Sequence, residues 1–141
     1  MSYPPIMPVE TMNARIQRSP FNRWLGLEVV AATAAGVHVQ ATWRDEMIGS
    51  PDAGSVAGGV LASIIDSTAS YAVAAATGHM AVTLDMRIDF LRAARPGVIY
   101  AEGAVVKAGR SIATVDVILK DSDGQVVSSG RAVFFRSGGN A

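Results

Sequence analysis

The chain has 141 residues, of which 50% are hydrophobic and 17% charged, a composition that excludes a disordered protein and predicts one globular domain. Twelve basic residues balance twelve acidic ones, so the basic excess typical of nucleic-acid-binding proteins is missing and no such partner is expected. The sequence has no cysteine, which excludes disulfides, thiolate metal sites and a cysteine nucleophile; a cytoplasmic location without signal peptide or membrane span is expected.

The N-terminal part of the chain predicts a short helix, two paired strands and a loop. Helical spacing covers residues 10–18, and the Ser-Pro pair that follows ends the helix. Apolar and polar side chains alternate over residues 36–44, which predicts a strand with residues 25–33 as its partner. The glycines and the proline of residues 45–55 predict a loop.

The C-terminal part predicts one long helix followed by four strands. Residues 58–78 place apolar or small side chains on nearly every helical face, which indicates a buried central helix capped at Gly78. Strands are predicted at residues 82–90, 98–107, 112–120 and 125–135. The turns between them are too short for crossover helices, so we predict an α+β fold, an antiparallel sheet of about six strands around one long helix. The single domain is expected to have its core at about residues 21–136, followed by a flexible C-terminal tail.

Asp66 is the most informative single residue. It is the only charged residue between Asp52 and Asp85, and it lies in the middle of the most apolar helix. A carboxylate in such a helix is costly unless it is hydrogen-bonded or catalytic. Ser63 and Ser70 share its helical face, so a structural aspartate satisfied by these serines and a catalytic aspartate both remain open.

Two glycines begin the same helix. Gly58 and Gly59 would let a ligand approach free backbone N–H groups at the positive end of the helix dipole, where an oxyanion is stabilised. An ordinary glycine-containing helix entry explains the same pair. His38 and His79 have no neighbouring ligand pattern, so no metal site is expected.

These features together resemble a known family. Residues 56–66, VAGGVLASIID, resemble the His-Gly-Gly-(six residues)-Asp signature of hotdog-fold acyl-CoA thioesterases of the phenylacetic-acid-degradation (PaaI-like) type. The resemblance extends from about residue 21 to residue 135 and implies the hotdog fold, a sheet wrapped around a helix. It also implies hydrolysis of an acyl-CoA to a carboxylic acid and free CoA, without a cofactor, by a homodimer or a dimer-of-dimers tetramer.

The resemblance implies roles for individual residues. Asp66 matches the catalytic carboxylate, which acts as nucleophile or as general base for water. Gly58 matches the residue whose backbone N–H polarises the thioester carbonyl, and Thr83 matches a hydroxyl that helps place the attacking water. Further substrate contacts are implied for Ser50, Ala57, Gly59, Arg92, Arg110 and Ser111, with the two arginines near the phosphates of CoA.

Two departures from the family pattern keep alternatives open. Family members commonly have histidine before the two glycines and asparagine seven residues earlier, where this chain has Ala57 and Ser50. The absence of this histidine and this asparagine favours an alternative, a non-catalytic acyl-CoA-binding or regulatory module of the same fold. A hotdog hydratase or dehydratase is a weaker alternative, because those enzymes generally pair a histidine with an acidic residue.

The predicted strand at residues 82–90 indicates an oligomer. Every second residue is apolar, namely Val82, Leu84, Met86, Ile88 and Phe90. Thr83 is expected on the opposite face. In a monomer this row would form a long apolar edge, so at least a dimer is expected. The resemblance implies that two sheets join edge to edge.

Helix geometry predicts that two chains share each site. Gly58 and Asp66 are eight residues apart, or about 12 Å along one helix axis. An oxyanion donor and an attacking group must both lie close to the same carbonyl. We therefore expect Gly58 of one chain to act with Asp66 of its partner.

Overall fold

The computed structural model describes residues 2–137; residues 138–141, most of the predicted tail, lie outside the described residues. Its helices are α1 (Val9–Arg18), α2 (Pro20–Trp24) and α3 (Gly58–Thr77). Its strands are β1 (Leu27–Thr33), β2 (Gly36–Ala41), β3 (Ile48–Ser50), β4 (Ser55–Val56), β5 (Val82–Phe90), β6 (Ile99–Ala108), β7 (Ile112–Lys120) and β8 (Val126–Phe135).

Six of the strands form one antiparallel sheet in the order β1-β2-β6-β7-β8-β5, and α3 packs against it. The α+β architecture predicted from the sequence, a sheet around one long helix, is confirmed. On β7, alternation places Ala113, Val115, Val117 and Leu119 on one face, and these residues are at most 1% exposed. Two glycines let α3 approach the sheet closely, since a Cβ atom on Gly103 would lie 3.1 Å from Thr68 Cγ2. A Cβ atom on Gly130 would lie 3.2 Å from Ile65 Cγ2.

The apolar composition of α3 follows from its position against the sheet. Among residues 2–137, it is the one helix long and apolar enough to cross a membrane. Ten of its 20 residues are buried inside the chain. Gly78 ends the helix as predicted, in the left-handed conformation with φ of 81°.

A second helix follows α1 where the sequence predicted only a helix end. Ser19 ends α1 and caps α2, because its hydroxyl accepts a hydrogen bond from the Asn22 N–H at 3.4 Å. Pro20 occupies the first helical position of α2, where its missing N–H costs nothing. Met12 and Ile16 of α1 are fully buried, so the packed core begins before residue 21.

The predicted loop at residues 45–55 contains regular structure. A 3-10 turn at Asp45–Met47 leads into β3, which pairs with β4 in a separate two-stranded ribbon. These strands have three and two residues, too few for a periodic signal. The Ala57 N–H donates to the Met47 carbonyl at 2.8 Å, which places the ribbon beside the start of α3.

A bulge changes which residues of β5 face the helix. Thr83 pairs with Phe134 and Asp85 with Val133, so Leu84 is the extra residue. Met86 then pairs with Ala132, which is buried on the same inner face as Phe134. Directly opposed residues share a face, so Thr83 and Met86 both point toward α3. The prediction that Thr83 lies opposite to the apolar row of β5 is therefore wrong beyond the bulge.

Candidate active site

One face of α3 is open, in contrast to the burial expected on nearly every side. The partly exposed or exposed residues along it are Gly59, Ala62, Ser63, Asp66, Ser67 and Ser70. They recur at three- and four-residue spacing and so form one stripe on the helix. Asp66 lies at the middle of this stripe and is half-buried.

A neighbouring hydroxyl holds the Asp66 carboxylate. The Thr83 hydroxyl donates a hydrogen bond to Asp66 Oδ1 at 2.7 Å, a contact that depends on the β5 bulge. The Ser63 hydroxyl donates to the Gly59 carbonyl at 2.9 Å, and among residues 2–137 neither Ser63 nor Ser70 bonds to Asp66. Within the same residues, Asp66 Oδ2 has no partner. The carboxylate is thus oriented by Thr83 and retains a free acceptor oxygen.

Asp66 opens into a cleft of about 280 Å³ between α3, α2 and the segment that follows α3. Its lining consists of Phe21, Asn22, Ser63, Asp66, Ser67, Ser70, Tyr71 and Met80. Here this cavity is called the Asp66 cleft. The Ser67 hydroxyl donates to Asn22 Oδ1 at 2.9 Å and ties α2 to α3. Sequence reasoning missed the contribution of α2 to this wall.

The start of α3 presents unused donors. Gly58 and Gly59 are exposed, and among residues 2–137 no side chain caps the helix at Ala57. The first N–H groups bonded within the helix are those of Val60 and Leu61, which donate to the Ala57 carbonyl. Within the part of the chain described, the N–H groups of Gly58 and Gly59 have no acceptor. Such donors at a positive helix end can stabilise a developing oxyanion.

Within one chain, these donors lie at the start of the open stripe, whereas Asp66 lies at its middle. Eight residues separate Gly58 from Asp66 on an uninterrupted helix, which corresponds to about 12 Å along its axis. The predicted separation is therefore present in the structure. A single chain cannot present both groups to one carbonyl.

Ser50 and Ala57 lie near the start of α3. The Ser50 hydroxyl accepts the Ala53 N–H at 3.4 Å, and its carbonyl accepts the Gly54 N–H at 2.8 Å, so Ser50 closes its own turn. Neither residue lines the Asp66 cleft. The same is true of His38 and His79, whose side chains are exposed.

Arg92 and the turn that contains Arg110 and Ser111 lie at opposite ends of the sheet. Arg92 lies two residues beyond the end of β5 and donates to the Gln125 side chain. The Arg110 turn precedes β7, and the first residues of β5 and β7 both pair with Phe135. The nine residues of β5 span about 30 Å. One chain therefore does not bring the two arginines to the same phosphate group.

Comparison with known proteins identifies the family. The family model described as the thioesterase superfamily matches residues 53–128, more than half of the chain. The matched range contains Gly58, Asp66 and Thr83.

Individual relatives agree with that match. The medium/long-chain acyl-CoA thioesterase YigI of Salmonella typhimurium is 27% identical, with 84% of this chain and 86% of that protein covered. A crystal structure of a thioesterase-superfamily protein is 43% identical, covers 91% of this chain and 97% of its own, and has a TM-score of 0.88. A variant of the phenylacetic acid degradation protein PaaI from Thermus thermophilus is 27% identical, covers 84% and 99%, and has a TM-score of 0.74.

Proposed function

The chain belongs to the thioesterase superfamily, and on that premise we propose that it hydrolyses acyl-CoA thioesters to a carboxylic acid and free CoA. The observation that carries the proposal is the half-buried Asp66 carboxylate, oriented by Thr83 at 2.7 Å and open to a cleft. The similarity to YigI, a medium/long-chain acyl-CoA thioesterase, supports acyl-CoA as the substrate class. Release of thiol from a panel of acyl-CoA substrates tests it.

The geometry supports a reaction driven by an activated water. Asp66 Oδ2 takes a proton from a water in the cleft while Thr83 fixes Oδ1, and the water oxygen bonds to the thioester carbon. The oxyanion accepts hydrogen bonds at the start of a neighbouring α3, with Gly58 as first donor. Collapse breaks the carbon–sulfur bond, and the proton on Asp66 passes to the departing thiolate. Direct attack by Oδ2 is the alternative: it forms an anhydride between Asp66 and the acyl group as the carbon–sulfur bond breaks and CoA leaves, and water then hydrolyses the anhydride. In single turnover in H₂¹⁸O, label in Asp66 would establish this route, because it requires water to attack the Asp66 carbonyl carbon of the anhydride.

We further propose that the active unit is a homodimer or a dimer of dimers joined through β5. β5 is an edge strand of the sheet, and Val82, Leu84 and Phe90 on it are 66%, 57% and 56% exposed. Antiparallel pairing of two β5 strands would join the two sheets, and the exposed edge of each β5 strand would be covered by the other. It would also bring Arg92 of one protomer to the end of the sheet where the other carries Arg110. Arg92 and Arg110, which are about 30 Å apart within one chain, could then contact the same CoA from two protomers.

Light scattering at low micromolar concentration is expected to give at least twice the chain mass of 14.7 kDa, with no folded monomer. The physical reason is the exposed apolar edge of β5. A stable and fully active monomer would contradict the proposed assembly.

Thr83→Val is expected to lower kcat by at least about 10-fold, because a hydrogen bond to a charged group contributes about 1.5–3 kcal/mol. Thr83→Ser keeps the hydroxyl and is expected to stay within about threefold of wild type. Steady-state kinetics of both variants measures the difference, and thermal melts show whether the fold is intact. Equal rates for the valine and serine variants would remove Thr83 from the proposed site.

A second candidate is a non-catalytic module that binds acyl-CoA. Ala57 has no polar side chain, and the Ser50 hydroxyl is used within its own turn, so these two positions add no side-chain donor to the backbone N–H groups at the start of α3. Calorimetry and thiol release on one acyl-CoA panel separate the two candidates. Tight binding without turnover would replace the enzyme proposal, whereas turnover excludes the module.

A further inference from the structure

A second cavity, of about 370 Å³, adjoins the Asp66 cleft. It is lined by Arg15, Arg18, Ser19, Asn22, Tyr71 and Met80, and is called the dibasic pocket below. Asn22, Tyr71 and Met80 line both cavities. The two spaces therefore meet at the end of the cleft beyond Asp66.

The polar groups of the dibasic pocket are mainly hydrogen-bond donors. Among residues 2–137, no carboxylate lies within 4.0 Å of the guanidinium of Arg15 or Arg18. Asn22 uses Oδ1 to accept the Ser67 hydroxyl, so its amide N–H₂ is left to donate. Two guanidinium groups without a counterion beside an amide donor suit an anion.

Tyr71 adds a further donor. Its side chain is 4% exposed, and burial raises the pKa of its phenol while the nearby charges of Arg15 and Arg18 oppose that rise. The phenol therefore stays protonated at neutral pH and can donate its O–H.

The position of the pocket indicates which anion it takes. Tyr71 follows Asp66 by five residues, a rise of about 7.5 Å along α3. The extended pantetheine arm of CoA is longer than this step, so the phosphates of a thioester held at Asp66 would reach past the pocket. An acyl chain fits the distance, and Phe21 and Met80 provide apolar wall along it.

We infer that the dibasic pocket binds a carboxylate at the far end of the acyl group, so that monothioesters of dicarboxylic acids are the preferred substrates. This inference rests on the proposed thioesterase function. The carboxylate would accept hydrogen bonds from Arg15 and Arg18, while the thioester lies beside Asp66. An acyl chain ending in a methyl group would leave both arginines without an anion.

The test compares hexanedioyl-, octanedioyl- and decanedioyl-CoA with the monocarboxylic acyl-CoA of the same carbon number. Wild type is expected to show about 10-fold higher kcat/KM for the best dicarboxylic member of the series. Arg15→Gln combined with Arg18→Gln is expected to abolish this preference and to leave monocarboxylic substrates within about twofold. Arg23→Gln is the matched control, because the Arg23 guanidinium donates to the Gln17 carbonyl and lines neither cavity. Equal rates of wild type on both classes would overturn the inference.

A CoA phosphate is the other source of the same anionic chemistry, and acyl-pantetheine thioesters lack it. If the pocket bound a phosphate, the double variant would lose activity equally on both classes of acyl-CoA and lose none on acyl-pantetheine. That result would overturn the inference. A preference for octanedioyl-pantetheine over octanoyl-pantetheine that disappears in the double variant supports it.

Binding without chemistry separates this inference from the proposed function. Calorimetry with octanedioic acid monoamide, against octanamide as the uncharged control, needs no turnover. Binding of the monoamide that depends on Arg15 and Arg18 supports the pocket even if no thioester is hydrolysed, an outcome in which only the proposed function fails. If the protein hydrolyses thioesters but neither binds the monoamide nor prefers dicarboxylic substrates, the inference about the dibasic pocket is overturned and the proposed function stands.

Discussion

Asp66→Asn is expected to lower kcat for acyl-CoA hydrolysis by at least about 100-fold, within the range associated with loss of a general base. The amide has nearly the shape of the carboxylate and can still accept the Thr83 hydrogen bond through Oδ1. It cannot take a proton from water or attack a thioester. Thiol release measures the rate, and an unchanged melting temperature shows that the fold is retained.

Asp85→Asn provides the matched control. Asp85 is an exposed carboxylate on the same edge strand, and it lies just past the bulge, on the face directed away from α3. Its variant is expected to keep wild-type kcat. If Asp66→Asn keeps more than a tenth of the wild-type rate, or if both variants lose activity equally, Asp66 is not the catalytic carboxylate.

The split between kcat and KM distinguishes chemistry from binding. Loss of the attacking group leaves ground-state contacts in place, so KM is expected to change by less than about threefold. A large rise in KM with kcat unchanged would instead make Asp66 a substrate-binding residue.

The fold was predictable because its main elements carry long periodic patterns. The alternation of β7 places on one face the same four residues that the structure buries, and the helix over Gly58–Thr77 ends at the predicted Gly78. These patterns arise from burial on one face of a sheet or along one helix, and each can be detected within a single element.

The contact between Asp66 and Thr83 was not predictable from such patterns. Strict alternation places Thr83 away from the helix, and one extra residue, Leu84, reverses its direction. The bulge is defined by pairing with β8, about 50 residues further along the chain, so nothing local to β5 reveals it. Only the family resemblance assigned Thr83 to the site.

The wall formed by α2 has a similar explanation. A helix of five residues is too short for a periodic signal, and the Ser-Pro sequence before it ends one helix and begins the next. The hydrogen bond between Ser67 and Asn22 joins residues 45 apart in sequence. Its existence depends on how α2 packs against α3, which no local pattern encodes.

Mixing two inactive variants, Asp66→Asn and Gly58→Pro, is expected to restore about a quarter of wild-type activity. If each site uses Gly58 of one protomer and Asp66 of the other, a mixed dimer has one intact site and one doubly defective site. Random exchange makes half of the dimers mixed, and half of their sites are active. The proposal that sites are shared follows from the 12 Å between the two residues on α3.

Gly58→Pro removes the N–H with little expected change to the helix. Position 58 is the first helical residue, where proline is tolerated, and Ala57 already has the extended conformation preferred before proline, with φ of −59° and ψ of 134°. A Cβ atom at position 58 would lie 3.4 Å from the Phe90 ring, an ordinary contact. Gly58→Ala keeps the N–H and is the matched variant, expected to lose far less activity than Gly58→Pro.

Three measurements make the mixing experiment decisive. Each variant alone must be folded and inactive, and mass spectrometry of differently tagged chains must show that subunits exchange. A recovered rate near one quarter of wild type supports sites shared between protomers. If exchange is complete and the mixture stays at background, each site uses groups from a single chain. Because α3 is continuous between Gly58 and Asp66, the oxyanion donor would then be a group nearer to Asp66, such as the Asn22 amide of the cleft wall, and the inactivity of Gly58→Pro would come from a changed shape at the start of α3.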